Sequence, residues 1–291
     1  MGKIVLEQNR LVFQRRDELV VIEPYGKNCL RCRMTRNSRI SDENWTLLPP
    51  ATESECKIEG DEKIASITNG DIKAVIEAGF PWYGGVISYY RKGKLILKRK
   101  QEADYVNDYV HTEGDNYAIR VNFEANEGEH FYGLGQEGED AFDRKGSTCS
   151  LLHYNTKSTL PFLYSSLGYG FFWNSPAPGR CETTRNRTLW FSDSAYQADF
   201  LIFSGDTPAD VMKTYADLTG YASKFPAWAA GFWQCSCVTK ARKNYLPWQG
   251  NIKSVVFPLM PLLSTISTGP NRVSGSLIRS TGRTQRQCAM S

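Results

Sequence analysis

The 291-residue sequence is poor in histidine and has no long apolar run. Its three histidines, His111, His130 and His153, form no His-x-x-x-His pattern, so a zinc site built on histidine is not indicated. No stretch of about 18 apolar residues occurs, so no membrane-spanning segment is expected. The first residues, MGKIVLEQNR, lack the apolar core of a secretory signal. The expected compartment is therefore the cytoplasm.

Cysteine occurs eight times, but at irregular spacings. In the cytoplasm such cysteines are expected to be reduced thiols. Cys29 and Cys32 form a lone Cys-x-x-Cys, and no second pair lies at zinc-finger spacing. Two cysteines on opposite sides of one strand are the favoured interpretation, and a metal site is the alternative. No cofactor or metal is expected.

Acidic residues are absent from the last part of the chain. Residues 1–235 hold all 31 Asp and Glu together with 27 Lys and Arg, whereas residues 236–291 hold eight Lys and Arg and no acid. The second stretch also has prolines within its apolar run, SVVFPLMPLLSTIST, where a core strand or helix cannot take them. We predict that residues 236–291 form an irregular, basic and disordered tail.

Short β-strand patterns fill residues 1–205. Residues 19–22 are a buried-strand candidate, and residues 30–35 alternate as a strand with one wet face should. The pairs Asn69-Gly70 and Lys92-Gly93 each separate two such patterns and predict type I′ hairpin turns. Aromatic residues make up 12% of the chain, which fits a large β core, with sugar binding as the alternative. The sequence thus predicts a mainly β fold, a large antiparallel β-sandwich.

One helix is predicted near residue 207. Thr207 is a good N-cap, Pro208 suits the first helical position and Asp210 favours the positive end of the helix dipole. Gly220 can end the helix in the left-handed conformation. The predicted apolar stripe consists of Val211, Met212, Tyr215 and Leu218.

Four motifs, in this order, resemble the N-terminal part of the α-glycosidases of glycoside hydrolase family 31. They are Tyr132–Gln136 (YGLGQ), then HYNTKSTLPFLYSSLGYGFFWNSPAPGR, TPADVMKTYADLTG and FPAWAAGFWQC. The resemblance implies a sandwich like that of galactose mutarotase, followed by a (β/α)8 barrel. It implies a sandwich domain over residues 1–222 with the helix at its C-terminal end, a linker and first barrel strand over residues 223–235, and the aberrant tail over residues 236–291.

The resemblance also implies a parent enzyme that hydrolyses α-xylosides or α-glucosides with retention. Such chemistry needs two carboxylates about 5 Å apart, and in the family both lie in the barrel. The Asp-Met-Asn-Glu-like motif of the family's nucleophile does not occur in this sequence. We therefore expect no catalytic residue and an inactive fragment; a non-catalytic carbohydrate-binding module is the alternative.

Two further activities receive less support from the sequence. The eight positive charges of the tail would attract nucleic acid only non-specifically, so no specific nucleic-acid partner is expected. A mutarotase needs a general base, usually a histidine, that faces an acid. The three scattered histidines suggest no such pair, and fold analogy alone does not carry function.

An acidic run follows the YGLGQ motif and consists of Glu137, Glu139, Asp140 and Asp143. Each acid stands next to a glycine or another acid in a polar loop. Such runs are usually solvated surface, and this is the interpretation we favour over a catalytic pair.

The candidate binding residues are Tyr154, Asn155 and Thr156, which follow His153. In the family this loop reaches over the barrel mouth and contacts the departing sugar. An amide and a hydroxyl beside an aromatic ring suit sugar hydroxyls and a sugar face. A polar hairpin loop with its own turn hydrogen bonds is an equal alternative. The expected partner is a carbohydrate.

The tail has an explanation in the genetic code. One permitted reading of the codons for residues 239–290, with the triplet boundary displaced, gives an amphipathic helix, a Gly-Ile-Pro break and a buried strand, as the family has here. Part of this reading is forced, since Trp248 followed by Gln249 can yield only alanine in the other frame. A frameshift from about Ser236 is our hypothesis, and a natural basic tail is the alternative.

Overall fold

The computed structural model describes residues 2–15, 17–50, 56–79, 85–99, 108–136, 138, 141–230, 235–236 and 263–264. Contacts divide the chain into two compact units, Met1–Tyr221 and Ala222–Ser291. The second unit contains a 3-10 turn (Ala227–Ala230) and two short parallel strands, β19 (Cys235–Ser236) and β20 (Leu263–Ser264). The rest of the predicted tail, with Trp248 and Gln249, lies outside the described residues.

The first unit is built from eighteen strands and one helix in its described part. The strands are β1 (Lys3–Leu6), β2 (Leu11–Gln14), β3 (Leu19–Pro24), β4 (Cys29–Thr35), β5 (Lys57–Gly60), β6 (Ile64–Asn69), β7 (Ile72–Glu77), β8 (Val86–Arg91), β9 (Lys94–Lys98), β10 (Tyr109–His111), β11 (Tyr117–Glu124), β12 (Phe131–Gln136), β13 (Thr148–Leu151), β14 (Ser158–Ser165), β15 (Tyr169–Trp173), β16 (Gly179–Thr183), β17 (Arg187–Ala195) and β18 (Ala198–Ser204). The helix is α1 (Pro208–Thr219).

These strands form a two-layer sandwich, as the sequence predicts. One layer is an eight-stranded sheet with the order β1-β2-β3-β4-β18-β15-β14-β12. The other consists of two five-stranded sheets, β5-β6-β7-β8-β9 and β10-β11-β17-β16-β13, which meet at a bridge between Arg99 and Phe123. All strand pairs of the three sheets are antiparallel, so the prediction of a mainly β, antiparallel sandwich is confirmed.

Stacked aromatic rings fill the space between the two layers. Phe171 stacks on Trp190 at 4.8 Å between ring centroids and on Phe200 at 5.0 Å. Trp173 stacks on the same two rings, and all four side chains are buried. Stacking of this kind adds to the free energy that burial itself contributes.

Strand β4 differs from the prediction, because it has no wet face. Arg31 and Arg33 are only 6% and 4% exposed. Arg31 forms an ion pair with Asp199 at 2.6 Å, and Arg33 pairs with Glu23 at 2.7 Å. A buried guanidinium is tolerated only when carboxylates compensate its lost hydration. The alternation of apolar and polar residues therefore predicted correctly that β4 has two different faces, but it did not predict that both faces are buried.

Both predicted hairpins are present, but one uses a different turn. Lys92 and Gly93 have φ of 48° and 81°, as a type I′ turn requires. In the other hairpin Asn69 pairs with Ile72, so the loop begins one residue later, at Gly70. The side chain of Asn69 instead donates to the carbonyl oxygens of Gly26 and Cys29, both at 2.7 Å. It thus links two layers.

Helix α1 begins as predicted, with a reciprocal capping box between Thr207 and Asp210. The helix covers part of the outer face of the eight-stranded sheet, next to β15 and β18. Val211 and Leu218 are buried there, whereas Met212 is largely exposed and lies outside the buried stripe.

The two cysteines of the Cys-x-x-Cys lie on opposite faces of β4, as expected. Cys29 packs under helix α1, and Cys32 packs in the main core between the layers. Burial raises the pKa of both thiols, that of Cys32 to about 12. Within the described ranges no helix is long and apolar enough to cross a membrane.

Candidate functional site

The YGLGQ motif forms a β-bulge in β12, the edge strand of the eight-stranded sheet. Gly133, Leu134 and Gly135 have φ of 123°, 64° and 82°, and the pairing with β14 shifts between the two glycines. A Cβ at Gly133 or Gly135 would collide with a carbonyl oxygen of β14. The extra residue lets Leu134 turn into the core, where it is fully buried. Backbone geometry therefore requires both glycines.

The bulged strand ends beside the loop that contains the predicted binding residues. Gln136, the last residue of β12, pairs with Ser158, the first residue of β14. The loop between β13 and β14 therefore lies at this end of the sheet edge. Its last residues form a tight turn in which the amide of Lys157 donates to the carbonyl oxygen of Tyr154 at 3.0 Å.

Tyr154, Asn155 and Thr156 occupy consecutive positions of this turn. The ring of Tyr154 is half exposed, and the Nζ atom of Lys157 lies 5.3 Å from its centroid. Thr156 has φ of 72°, which is rare for a β-branched residue. Strained backbone of this kind clusters at ligand sites, but it also occurs in turns that the surrounding structure fixes. The substrate-binding role of the three residues stays a prediction, and the turn does have its own hydrogen bond.

His153 belongs to the framework of this loop. Its Nδ1 atom accepts a hydrogen bond from the backbone amide of Thr159 at 3.2 Å. The hydroxyl of Thr159 donates to the carbonyl oxygens of Ser150 and Leu152, both at 3.3 Å. The two strands that flank the loop are thus tied together at its base.

The acidic run is only partly within the described residues, since Glu137, Glu139 and Asp140 lie outside them. Asp143 accepts hydrogen bonds from the amides of Phe131 and Lys145 at 3.1 and 2.9 Å. Its other oxygen contacts Nδ1 of His130 at 2.6 Å. Burial opposes the charge of Asp143, but these donors together hold its pKa below the usual value. Asp143 therefore anchors its loop against β12.

His130 and Asp143 form a pair of a histidine and a carboxylate, which the sequence did not suggest. The two residues are thirteen positions apart, and the bulge loop brings them together. Both side chains are partly exposed, at 56% and 38%. The only sequence signal was that Asp143 closes an acidic run near a histidine, which is too weak to predict a contact.

Three carboxylates among the residues that the structure describes are buried, and each is engaged by the scaffold. Glu18 pairs with Arg99 at 2.7 Å, and Asp199 pairs with Arg31. Glu129 accepts from the hydroxyl of Tyr169 at 2.7 Å. Among the residues that the structure describes, no group of His, Cys, Asp and Glu could hold a metal ion. These acids therefore stabilise the sandwich through scaffold contacts.

Arg180 and Glu182 form an ion pair, with 2.7 Å between Nε and the carboxylate. Both residues lie on β16 and point to the same side, because they are two positions apart. Arg187 on the neighbouring strand joins them at 3.1 Å. The cluster lies in the sheet β10-β11-β17-β16-β13, and we assign it a structural role.

The comparisons with known proteins agree with this architecture. The sequence profile described as "Glycosyl hydrolase 31 N-terminal galactose mutarotase-like domain" matches residues 19–182. An uncharacterized family 31 glucosidase of Pseudescherichia vulneris is 28% identical over 267 residues, covering 84% of this chain and 50% of the relative. An α-xylosidase of Saccharolobus solfataricus is 34% identical over 161 residues, covering 52% of this chain and 21% of the relative.

Among solved structures, a family 31 α-xylosidase from a soil metagenome, complexed with xylose, superimposes with a TM-score of 0.86 at 29% identity. The match covers 98% of this chain and 44% of the xylosidase. This chain therefore spans half or less of the length of these relatives, and the matched region is their N-terminal part. On the profile match over more than half of its length, the chain belongs to glycoside hydrolase family 31.

Proposed function

We propose that this chain is the N-terminal portion of a retaining α-glycosidase that acts on α-xylosides or α-glucosides, and that it does not hydrolyse them alone. The observation that carries the proposal is the extent of the match: family 31 relatives, including several α-xylosidases, align with it only over their N-terminal parts. Retaining hydrolysis needs a nucleophilic carboxylate and a second carboxyl group that donates and then accepts a proton. In the described part of the chain, the buried acids are committed to ion pairs or hydrogen bonds of the scaffold.

In the proposed enzyme the role of this portion is to position a sugar-contacting loop. The bulge at Gly133 and Gly135 fixes the end of β12, and pairing with Ser158 fixes the loop beside it. Tyr154 would then offer a ring face to a sugar, while Asn155 and Thr156 would offer an amide and a hydroxyl. Preorganisation by the strained turn would reduce the entropy lost on binding.

A direct assay with p-nitrophenyl α-xyloside and α-glucoside tests the catalytic half of the proposal. We expect no turnover by the purified 291-residue chain above the buffer rate. Turnover that disappears when Asp143 or Glu129 is replaced by its amide would overturn the proposal, because an acid of this chain would then be needed for the reaction.

A chimera tests the binding half. Residues 1–222 of this chain would replace the matched N-terminal part of the metagenome α-xylosidase. In an active chimera, Asn155→Ala should raise KM for an α-xyloside, and Ile64→Ala, an exposed change on β6, should leave it unchanged. An unchanged KM in the Asn155→Ala chimera would remove the loop from the substrate site.

The second candidate function is a non-catalytic carbohydrate-binding sandwich, and the exposed ring of Tyr154 favours it. Calorimetry of the whole chain with xylose, glucose and isoprimeverose separates the two functions. Because a single turn covers little of a sugar, binding there alone should be millimolar or weaker. The absence of heat at millimolar sugar would count against this candidate.

The division into a sandwich over residues 1–222, a linker and barrel strand over 223–235 and a tail over 236–291 belongs to the same proposal. Limited proteolysis should leave a stable fragment that ends near residue 222. The frameshift hypothesis has its own test, since resequencing of the gene past the codon for Cys235 either finds the displaced triplet boundary or finds an intact frame.

A further inference from the structure

A row of aromatic rings crosses the outer face of the eight-stranded sheet at its β12 edge. Tyr132 and Tyr164 are cross-strand partners, and their rings stack with 6.2 Å between centroids and 28° between planes. Phe142, in the loop that follows the bulge, adds a third ring, 5.0 Å from that of Tyr132. Phe142 is 84% exposed, the most exposed of the large apolar side chains that the structure describes.

His130 lies on the same face as this row. Its backbone continues the ladder beyond Phe131, because Ser166 donates to its carbonyl oxygen at 2.9 Å. Side chains alternate along a strand, so His130 and Tyr132 point outward while Phe131 points into the core. Asp143, bonded to His130, is the next residue after Phe142 in the chain. A polar pair and an aromatic surface therefore stand side by side.

The exposed ring of Phe142 is held by a fixed backbone. Asp143 binds two backbone amides and the imidazole, and the amide of Arg144 donates to the carbonyl oxygen of Phe131 at 2.8 Å. Phe142 extends the apolar surface of Tyr132 and Tyr164, and clustered apolar side chains that are open to water mark binding surfaces. It contributes little burial to the sandwich itself.

The contact with Asp143 also fixes the chemistry of His130. An ionised carboxylate can only accept, so Nδ1 of His130 carries the proton. In the neutral ring Nε2 is then an acceptor, suited to a hydroxyl donor. The opposite charges of the pair compensate one another when the histidine is protonated, so the surface does not select for an anionic ligand.

We propose that Phe142, Tyr132 and His130 form a second carbohydrate site for a neutral pyranose. The apolar C–H face of the sugar would lie on Phe142 and Tyr132, and a ring hydroxyl would donate to Nε2 of His130. The site is separate from the turn at Tyr154. Tyr132 lies opposite Tyr164, whereas the turn ends next to Ser158, and these two positions of β14 are six residues, or about 20 Å, apart. The proposal goes beyond hydrolysis and does not depend on it.

The test is saturation-transfer NMR on the whole chain with maltotriose and with isoprimeverose at millimolar concentration. Phe142→Ala should weaken binding about tenfold or abolish it, because the stacking surface is lost. His130→Gln should weaken it severalfold. Ile64→Ala, a change of another exposed apolar side chain on a different sheet, should have no effect, and circular dichroism would verify that each variant is folded.

Two results would overturn the proposal. One is the absence of transfer from the unmodified chain to either sugar. The other is saturation transfer that persists in Phe142→Ala. If Asn155→Ala alone abolished the transfer, all binding would lie at the β13–β14 turn. Loss in Phe142→Ala with no change in Asn155→Ala supports the second site, even if the proposed role of that turn in a glycosidase proves wrong.

Discussion

The two faces of the eight-stranded sheet carry similar aromatic residues in very different surroundings. On the inner face Phe171 and Phe200 are buried in a stack with two tryptophans. On the outer face burial depends on the distance from helix α1: Phe162 is buried beside Tyr215, whereas Phe142 at the edge is almost fully exposed. The same residue type therefore serves stability on one face and remains available for contact on the other.

The largest expected effect comes from the inner face. Phe200→Ala should lower the free energy of unfolding by about 3–5 kcal/mol, because it leaves a cavity among four aromatic neighbours. Phe142→Ala, the matched change at the outer edge, should cost no more than about 0.5 kcal/mol. Urea unfolding followed by circular dichroism measures both. Similar losses in the two variants would contradict the contrast between the faces.

The buried ion pair between Arg31 and Asp199 tests how much the covered part of the outer face contributes to stability. Asp199→Ala should cost about 3 kcal/mol, because Arg31 would remain buried without its carboxylate. Asp217→Ala is the control, since its pair with Lys213 is exposed and should contribute less than about 0.5 kcal/mol. The same urea titration applies. Equal losses in the free energy of unfolding would contradict this expectation, because they would mean that burial of Arg31 does not increase the cost of removing its partner.

Acid should weaken the sandwich at the buried ion pair between Glu18 and Arg99. Burial raises the pKa of this carboxyl group, but Arg99 and Tyr109 outweigh burial and hold it below its usual value. The folded-state pKa is thus depressed, so the stabilisation is present above the unfolded-state pKa and is lost as pH falls through the folded-state value. Thermal unfolding at decreasing pH should show a falling midpoint below about pH 4.5.

Glu18→Gln is the matched variant for this acid effect. It should be less stable at neutral pH and show a shallower decline in acid, because the titrating group is gone. A decline as steep as that of the unmodified chain would assign the effect to other carboxyl groups, such as Glu182, whose pKa is also lowered despite partial burial.

The smallest expected effect is at the strained turn. Thr156→Gly should leave stability unchanged or raise it by about 0.5 kcal/mol, because glycine adopts positive φ without steric cost. Thr148→Gly, an exposed change in β13, should instead be destabilising by up to about 1 kcal/mol. Thermal unfolding compares the two. A clear loss in Thr156→Gly would mean that the threonine side chain stabilises the turn.

Much of the fold could be predicted because local chemistry determines it. The N-cap at Thr207 and the turn at Lys92 and Gly93 are found as expected, since each depends on a few neighbouring residues. The burial of Arg31 could not be predicted, because its partner Asp199 is 168 residues away. Long-range pairing decides exposure, and alternation alone does not reveal it.

The same limit applies to the candidate sites. The residues Tyr154, Asn155 and Thr156 could be selected by resemblance, but their substrate role stays a prediction. The contact of His130 with Asp143 depends on the bulge loop that folds back along β12. A bulge of three successive residues at positive φ leaves only paired glycines as a trace in the sequence, and these fit several other structures.

The bulge has a consequence for how the sandwich behaves towards other molecules. Strand β12 ends the large sheet, and a straight edge strand there would offer a row of unpaired backbone groups to any extended chain. Three residues at positive φ break that row halfway, and the segment around Arg144 occupies its beginning. The bulge that positions the neighbouring loop therefore also hinders the pairing of another strand with β12. Its two glycines, Gly133 and Gly135, thus help to protect the sandwich against edge-to-edge assembly.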